Sequence, residues 1–239
     1  MFFKGINHYG NKGLFLDFGS ESSQEISKEV NAIFDFILKL DIPLLNATPS
    51  FNKIVLHFKT QENREQSIGF LEKQLNHFQP SYISQSQKKW IIPACYEDSY
   101  ALDLERIQQI HDLGKNEIIN LHTSIEYYTY YIGFMPGFPY LGDIPSPLIT
   151  PRLDSPRVQI PAGSVGIAKK NTCIYPKVSP GGWNIIAQVP FEIFNLNHSR
   201  TSLFLPGDKV QFQSISSAEF EKIQNQYLTL DDLIQEYSQ

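Results

Sequence analysis

The sequence predicts an α+β N-terminal domain, a small sheet with helices on one face, followed by a mainly-β domain whose strands close as a barrel or stack as a sandwich. Three observations carry this. Strand-like alternation and helix-like spacing of apolar residues interchange over the first 80 residues, as they do where helices cover a sheet. Helical periodicity then lapses from His122 to Ser217. Within that stretch, nine of the fifteen prolines and seven of the fourteen glycines lie between Gly133 and Gly182, so short strands there are separated by stiff turns.

In chain order, Gly13 to Gly19 puts Leu14, Leu16 and Phe18 on one face of a strand and Asp17 on the other. Ser22 and Glu25 have the spacing of a capping box, and Ile26, Val30, Ile33, Phe34 and Ile37 then form one helical stripe. Asp41 to Ser50 reads as a turn and short strand. Lys53 to Lys59 alternates, with Ile54, Leu56 and Phe58 on one side and Val55 and His57 on the other. A second amphipathic helix carries Ile68, Leu71, Leu75 and Phe78. This β-α-β-β-α order sets helices on one face of an antiparallel sheet. The polar segment Gln79 to Lys89 is the expected linker and divides a domain of residues 1–85 from one of residues 86–239.

Beyond the linker, Trp90 to Ala94 is strand-like. Asp103 to Asp112 is a short helix with Leu104, Ile107 and Ile110 inward and Gly114 as its stop, and Asn116 caps another running to His122. Tyr127 to Ile132, Val165 to Ala168, Asn184 to Gln188 and Lys209 to Gln213 are short β runs. The four tyrosines of the first, Tyr127, Tyr128, Tyr130 and Tyr131, alternate in sidedness, two toward the barrel and two outward. Ser217 to Glu236 regains helical spacing at Phe220, Ile223 and Tyr227.

Composition excludes several roles. A net charge of −5 with scattered lysines does not suit a nucleic-acid surface. No run of 18 apolar residues and no signal-peptide core is present, so neither a membrane span nor secretion is expected. Cys95 and Cys173 stand far apart outside any C-x-x-C pair, and a reducing cytoplasm is the simplest setting. There is no P-loop, no H-E-x-x-H, and no pairing among the six histidines that fits a metal.

Four features could carry chemistry. Ala162 to Gly166 resembles a nucleophile elbow, but the apolar β run after Ser164 is the wrong context, and a turn serine is the ordinary alternative. Pro151 to Arg157 (PRLDSPR) presents Arg152 and Arg157, each directly after a proline. Both guanidinium forks would suit a carboxylate or phosphate ligand, or a structural partner such as Asp154 or a carboxylate elsewhere. Ser179 to Trp183 (SPGGW) either lines an anion nest with the Gly181 and Gly182 amides or forms a tight turn anchored by Trp183. His122 precedes a β run and is either structural or an acid–base group.

Five motifs follow one another in this chain: IGFMPGFPYLG (Ile132 to Gly142), PRLDSPR, PAGSVGIA (Pro161 to Ala168), IYP (Ile174 to Pro176) and SPGGWNII (Ser179 to Ile186). In order and spacing they resemble the family of the bacterial 5-oxoprolinase B component (PxpB), formerly called allophanate hydrolase subunit 1, which includes KipI-type sporulation-kinase inhibitors. The resemblance extends back to IIPACY and His122-Thr123, forward to LPGDKVQF (Leu205 to Phe212), and weakly over the strand ending at Phe18-Gly19.

That resemblance implies a cyclophilin-like barrel after the α/β domain. It implies work with a homologous C component (KipA/PxpC-type) and an A component of the LamB/YcsF type. Together they would open 5-oxo-L-proline to L-glutamate with ATP and Mg2+ used by the complex, and neither held by this chain alone. The alternative it implies is an inhibitor docked on a sensor histidine kinase. Prolyl isomerase activity would rest on fold analogy alone. No catalytic residue is assigned. The substrate-binding or subunit-interface candidates are His122, Met135, Pro136, Arg152, Arg157, Ser164, Tyr175, Ser179, Gly181, Gly182 and Trp183. The chain departs from the family pattern at Glu97 and Asp98, at Lys169, Lys170, Asn171 and Cys173, and at Ala187-Gln188-Val189, where Gln188 replaces an arginine.

Overall fold

The computed structural model describes residues 1–79 and 88–239, and the chain divides into two compact units, Met1–Gln85 and Ser86–Gln239. The expected domain boundary falls among residues 80–87 and so lies outside the described residues.

The N-terminal unit runs β1 (Gly5–Tyr9), β2 (Gly13–Asp17), α1 (Gln24–Ile37), β3 (Leu44–Pro49), β4 (Lys53–Phe58) and α2 (Gln61–Asn76). Its antiparallel sheet has the order β1-β2-β4-β3. Leu14, Leu16 and Phe18 join Ile54, Leu56 and Phe58 on the buried face, where α1 supplies Ile26, Val30, Ile33 and Ile37 and α2 supplies Leu71 and Leu75. Phe34, Ile68 and Phe78 pack at the margin of that core. Each fully buried aliphatic side chain contributes about 1.5–3 kcal/mol relative to exposure. Phe15, Val55 and His57 alternate onto the opposite face and stay partly exposed. Two expectations change. The strand β1 is an addition to the expected elements, because GINHY has little apolar pattern and three of its five residues are exposed. The cap of α1 is Ser23, in extended backbone, whose hydroxyl accepts the Ile26 N–H at 3.3 Å; Ser22 lies one residue too early.

The second unit begins with β5 (Lys89–Cys95), α3 (Leu104–His111), α4 (Lys115–Thr123), β6 (Tyr127–Ile132) and β7 (Pro139–Gly142). It continues through a 3-10 turn (Ser146–Leu148), β8 (Arg157–Ile160), β9 (Ser164–Ala168), β10 (Asn171–Ile174), β11 (Ser179–Gly181), β12 (Asn184–Gln188), β13 (Lys209–Ile215), α5 (Ser217–Gln224) and α6 (Leu230–Tyr237). Seven strands close a barrel in the order β10-β7-β6-β13-β5-β12-β9, which decides between barrel and sandwich, and β8 with β11 forms a separate two-stranded ribbon. Closure leaves those seven strands no free edge. Parallel pairing of β5 with β13, from Lys89 opposite Lys209 to Cys95 opposite Ile215, completes it. Trp90, Ile92, Val165, Ile167, Ile186, Val210 and Phe212 belong to the barrel core.

Local corrections follow from the helix ends and the tyrosine run. Helix α3 stops at Asp112, which takes a left-handed conformation at φ 52°, while Gly114 is the N-cap of α4 and its N–H donates to Glu117. Asn116 therefore lies inside α4, and Ile110 is 42% exposed rather than inward. Tyr127, Tyr128 and Tyr130 are all buried and Tyr131 partly so, because both faces of β6 are covered: Tyr127 packs on His122 and Phe212, while Tyr128 and Tyr130 meet each other edge to face. The C-terminal helical stretch is two helices separated at an exposed Tyr227 with φ 51°. Among the described residues no helix is long and apolar enough to cross a membrane.

Candidate functional site

The proline- and glycine-rich motifs converge on one aromatic cluster of the barrel unit. Phe138, Ile160, Ala168, Cys173, Tyr175, Trp183 and Ile185 are its buried members, with Met135 and Tyr140 packed against them. The rings meet mainly edge to face: Phe138 lies 5.1 Å from Tyr175 at 89° and 5.9 Å from Trp183 at 84°, and Tyr140 lies 5.8 Å from Trp183. Tyr131 stacks on Tyr140 at 4.3 Å. The turn carrying Met135 depends on Gly137, whose φ is 79° and where a Cβ would strike the Phe194 side chain at 2.5 Å. Pro136 is exposed beside it.

Beside this cluster runs the segment 151–156, held at Pro151 and Leu153. The Leu153 N–H donates to the Gly182 carbonyl at 2.8 Å, and the Asn184 amide donates to the Pro151 carbonyl at 2.9 Å. Arg152 is thereby set beside Gly182, where a side chain would come within 3.5 Å of its guanidinium. It also lies near the Tyr140 and Tyr175 phenols. Burial pushes both hydroxyls above their usual range, and Arg152 works in the opposite direction on each.

The two arginines that look alike in sequence part company here. Arg157 makes a two-pronged bond to Asp103, at 2.8 and 2.6 Å, and Asp103 also accepts the Ile185 N–H at 2.7 Å. Asp103 is 5% exposed and the Arg157 side chain 31%, so this is a structural pair built on a buried carboxylate. Arg64, Arg106 and Arg200 hold hydrogen bonds as well. Arg152 has no hydrogen-bond or ion-pair partner among the described residues.

Of the two readings of Ser179 to Trp183, the anion nest does not form. Neither Gly181 nor Gly182 has positive φ, and Ser179 to Gly181 is a strand of the ribbon. Gly181 instead makes room for Tyr175, whose hydroxyl would lie 2.4 Å from a Cβ there. Ser179 is buried, with a hydroxyl lacking a partner among the described residues. Ser164 opens β9 directly after Gly163, at φ 79°, and is 1% exposed, so the helix that a nucleophile elbow requires is replaced by a strand. Both cysteines are buried, and burial pushes both thiols up.

His122 is not part of this face. It is fully buried in the barrel, with Nδ1 2.7 Å from the Tyr96 hydroxyl and Nε2 3.1 Å from that of Thr172, and it stacks on Phe212. Its carbonyl accepts the Tyr127 hydroxyl at 2.8 Å. Burial lowers its pKa to about 3. Three departures from the family pattern also have structural partners: the Gln188 amide donates to the Ala162 carbonyl, Glu97 accepts the Ser217 N–H, and Asp98 pairs with Lys115. Sequence reasoning did not single out Asp103, Asn184 or Tyr140 as site residues. Tyr140 and Asn184 stand inside two of the five motifs, whereas Asp103 lies outside them.

A groove of about 600 Å³ lies elsewhere on the barrel unit, lined by Gly163, Gln188, Phe191, Asn195, His198 and Tyr227 among others. Among the described residues no group of three histidine, cysteine or acidic side chains could hold a metal ion.

The model of the carboxyltransferase domain, subdomain C and D, matches residues 4–204. The chain belongs to this family. A carboxyltransferase-family relative, the B component of 5-oxoprolinase from Bacillus subtilis (strain 168), is 32% identical over 227 residues, spanning 90% of this chain and 94% of that protein. The solved structure of TTHA0988 is 29% identical with a TM-score of 0.74; it matches 86% of this chain, which spans only 40% of that longer molecule. The K. lactis urea amidolyase shares the fold, with a TM-score of 0.71 at 17% identity over 92% of this chain and 15% of that one. This chain thus aligns with only part of each of those two longer molecules.

Proposed function

We propose that this chain is the B component of an ATP-dependent 5-oxoprolinase, working in the cytoplasm with the C and A components and inactive without them. The observation that carries the reading is 32% identity across 94% of a 5-oxoprolinase B component. The complex converts 5-oxo-L-proline, ATP and two waters to L-glutamate, ADP and phosphate. ATP activates the lactam carbonyl, and Mg2+ accompanies the nucleotide. This chain's contribution is positioning. The aromatic cluster excludes water from one side of the substrate, and Arg152 supplies a fixed positive charge on a segment tied down at Pro151 and Leu153. Arg157 holds the neighbouring ribbon through Asp103 and touches no substrate.

Co-expression with the C and A components tests the reading. The assembled complex is expected to release ADP and glutamate only when 5-oxoproline is present. Correct assembly with no such turnover overturns it.

A further inference from the structure

We propose that Arg152, with the Tyr140–Trp183 aromatic shelf beside it, is the specificity determinant that grips the carboxylate of 5-oxoproline, while the nucleotide phosphates bind away from this shelf. This rests on the function proposed above and adds which part of which substrate this face holds.

The first argument is charge. A carboxylate has one negative charge and two coplanar oxygens, which a single guanidinium fork matches. A nucleoside triphosphate has several charges and is normally met by several cations, a metal or a nest of backbone amides. Arg152 is the cation that acts on both Tyr140 of the shelf and the neighbouring Tyr175. Of the glycines that could have built a nest, Gly181 lies in a strand and neither has positive φ.

The second argument is availability. Each of the other four arginines is engaged by a carboxylate, carbonyl or amide oxygen, and Arg152 is not. An unpaired guanidinium at the rim of an apolar cluster is unspent binding capacity. Its backbone is already fixed on both sides by the Leu153 and Pro151 hydrogen bonds, which lowers the ordering cost of binding.

The third argument is the empty space at Gly182. Its φ needs no glycine, and its would-be Cβ has only ordinary contacts, the nearest with the Arg152 fork at 3.5 Å. What the missing side chain leaves open is the approach to that guanidinium. The flat lactam ring then lies against the partly exposed Tyr140, a ring already ordered by its contacts with Tyr131 and the buried Trp183.

Steady-state kinetics on the assembled complex, with 5-oxoproline and ATP varied separately, test this. Loss of a charge-assisted bidentate contact is expected to raise the KM for 5-oxoproline about ten- to a hundredfold in Arg152→Gln, with the KM for ATP unchanged. Arg152→Lys, which keeps charge but loses the fork, is expected to recover part of the loss. Gly182→Val, which leaves the arginine in place but covers it, is expected to shift the same KM in the same direction. A rise in the KM for ATP, a loss of kcat with both KM values unchanged, or no change in Arg152→Gln overturns the inference while the functional reading stands. Absence of turnover by the unaltered complex overturns the functional reading, and this inference with it.

Discussion

Burial decides what His122 can do. Its folded pKa, about 3, lies below the ordinary 6.5 because the barrel interior strips water from the charged form. The unfolded chain therefore binds a proton that the native barrel refuses. Stability from the neutral ring is complete above pH 6.5 and drains away as pH falls toward 3, approaching about 1.4 kcal/mol per pH unit. His198 has the opposite sign: Asp231, 2.9 Å away, holds its pKa above the usual value, so its contribution is present at low pH and fades as pH rises. Urea denaturation from pH 7 to 5 is expected to show a falling midpoint for the natural chain and a flatter profile for His122→Gln. That variant starts less stable because Tyr96 and Thr172 lose their ring partner. An equal slope in both proteins would remove His122 as the cause.

At the level of elements, periodicity was legible wherever one face of a strand or helix meets a core. Leu14, Leu16 and Phe18, and Ile54, Leu56 and Phe58, read correctly because each run alternates against solvent. In the barrel, Tyr127, Tyr128 and Tyr130 are all buried, so alternation lost its meaning there. Site roles were less readable, since Arg152 and Arg157 have the same local context and differ only through Asp103, 54 residues before Arg157. That pair ties β8 to the start of α3 and, through the Ile185 amide, to β12. Arg157→Ala is expected to cost about 1.5–3 kcal/mol, because it strips the partner from a buried carboxylate. Arg152→Ala, which breaks no bond, is expected to cost less than about 0.5 kcal/mol. Thermal melts of the two variants side by side check the assignment, and equal losses would refute it.

For the molecule as a whole, the two units have separate cores built from different stretches of chain. Their wiring differs. In the first unit β2 and β4, central in the sheet, pair across a single helix and a short strand, whereas β5 finds β13 only after every other strand of the barrel has been laid down. Long-range pairing must meet its loop-closure entropy before contacts repay it, so such strands are slow to join. In refolding followed by pulsed hydrogen exchange, amides of β2 and β4 are expected to gain protection before those of β5 and β13. Simultaneous protection would contradict that order.

The same wiring bears on synthesis. A ribosome that has just made Cys95 must add more than a hundred residues before Lys209 appears, about 6–20 s at ordinary elongation rates. Through that interval the nascent barrel has an apolar strand with no neighbour on its β13 side, while the N-terminal unit can already be complete. The natural client of a chaperone on this polypeptide is therefore the half-made barrel, with Trp90 and Ile92 exposed until the last strand arrives.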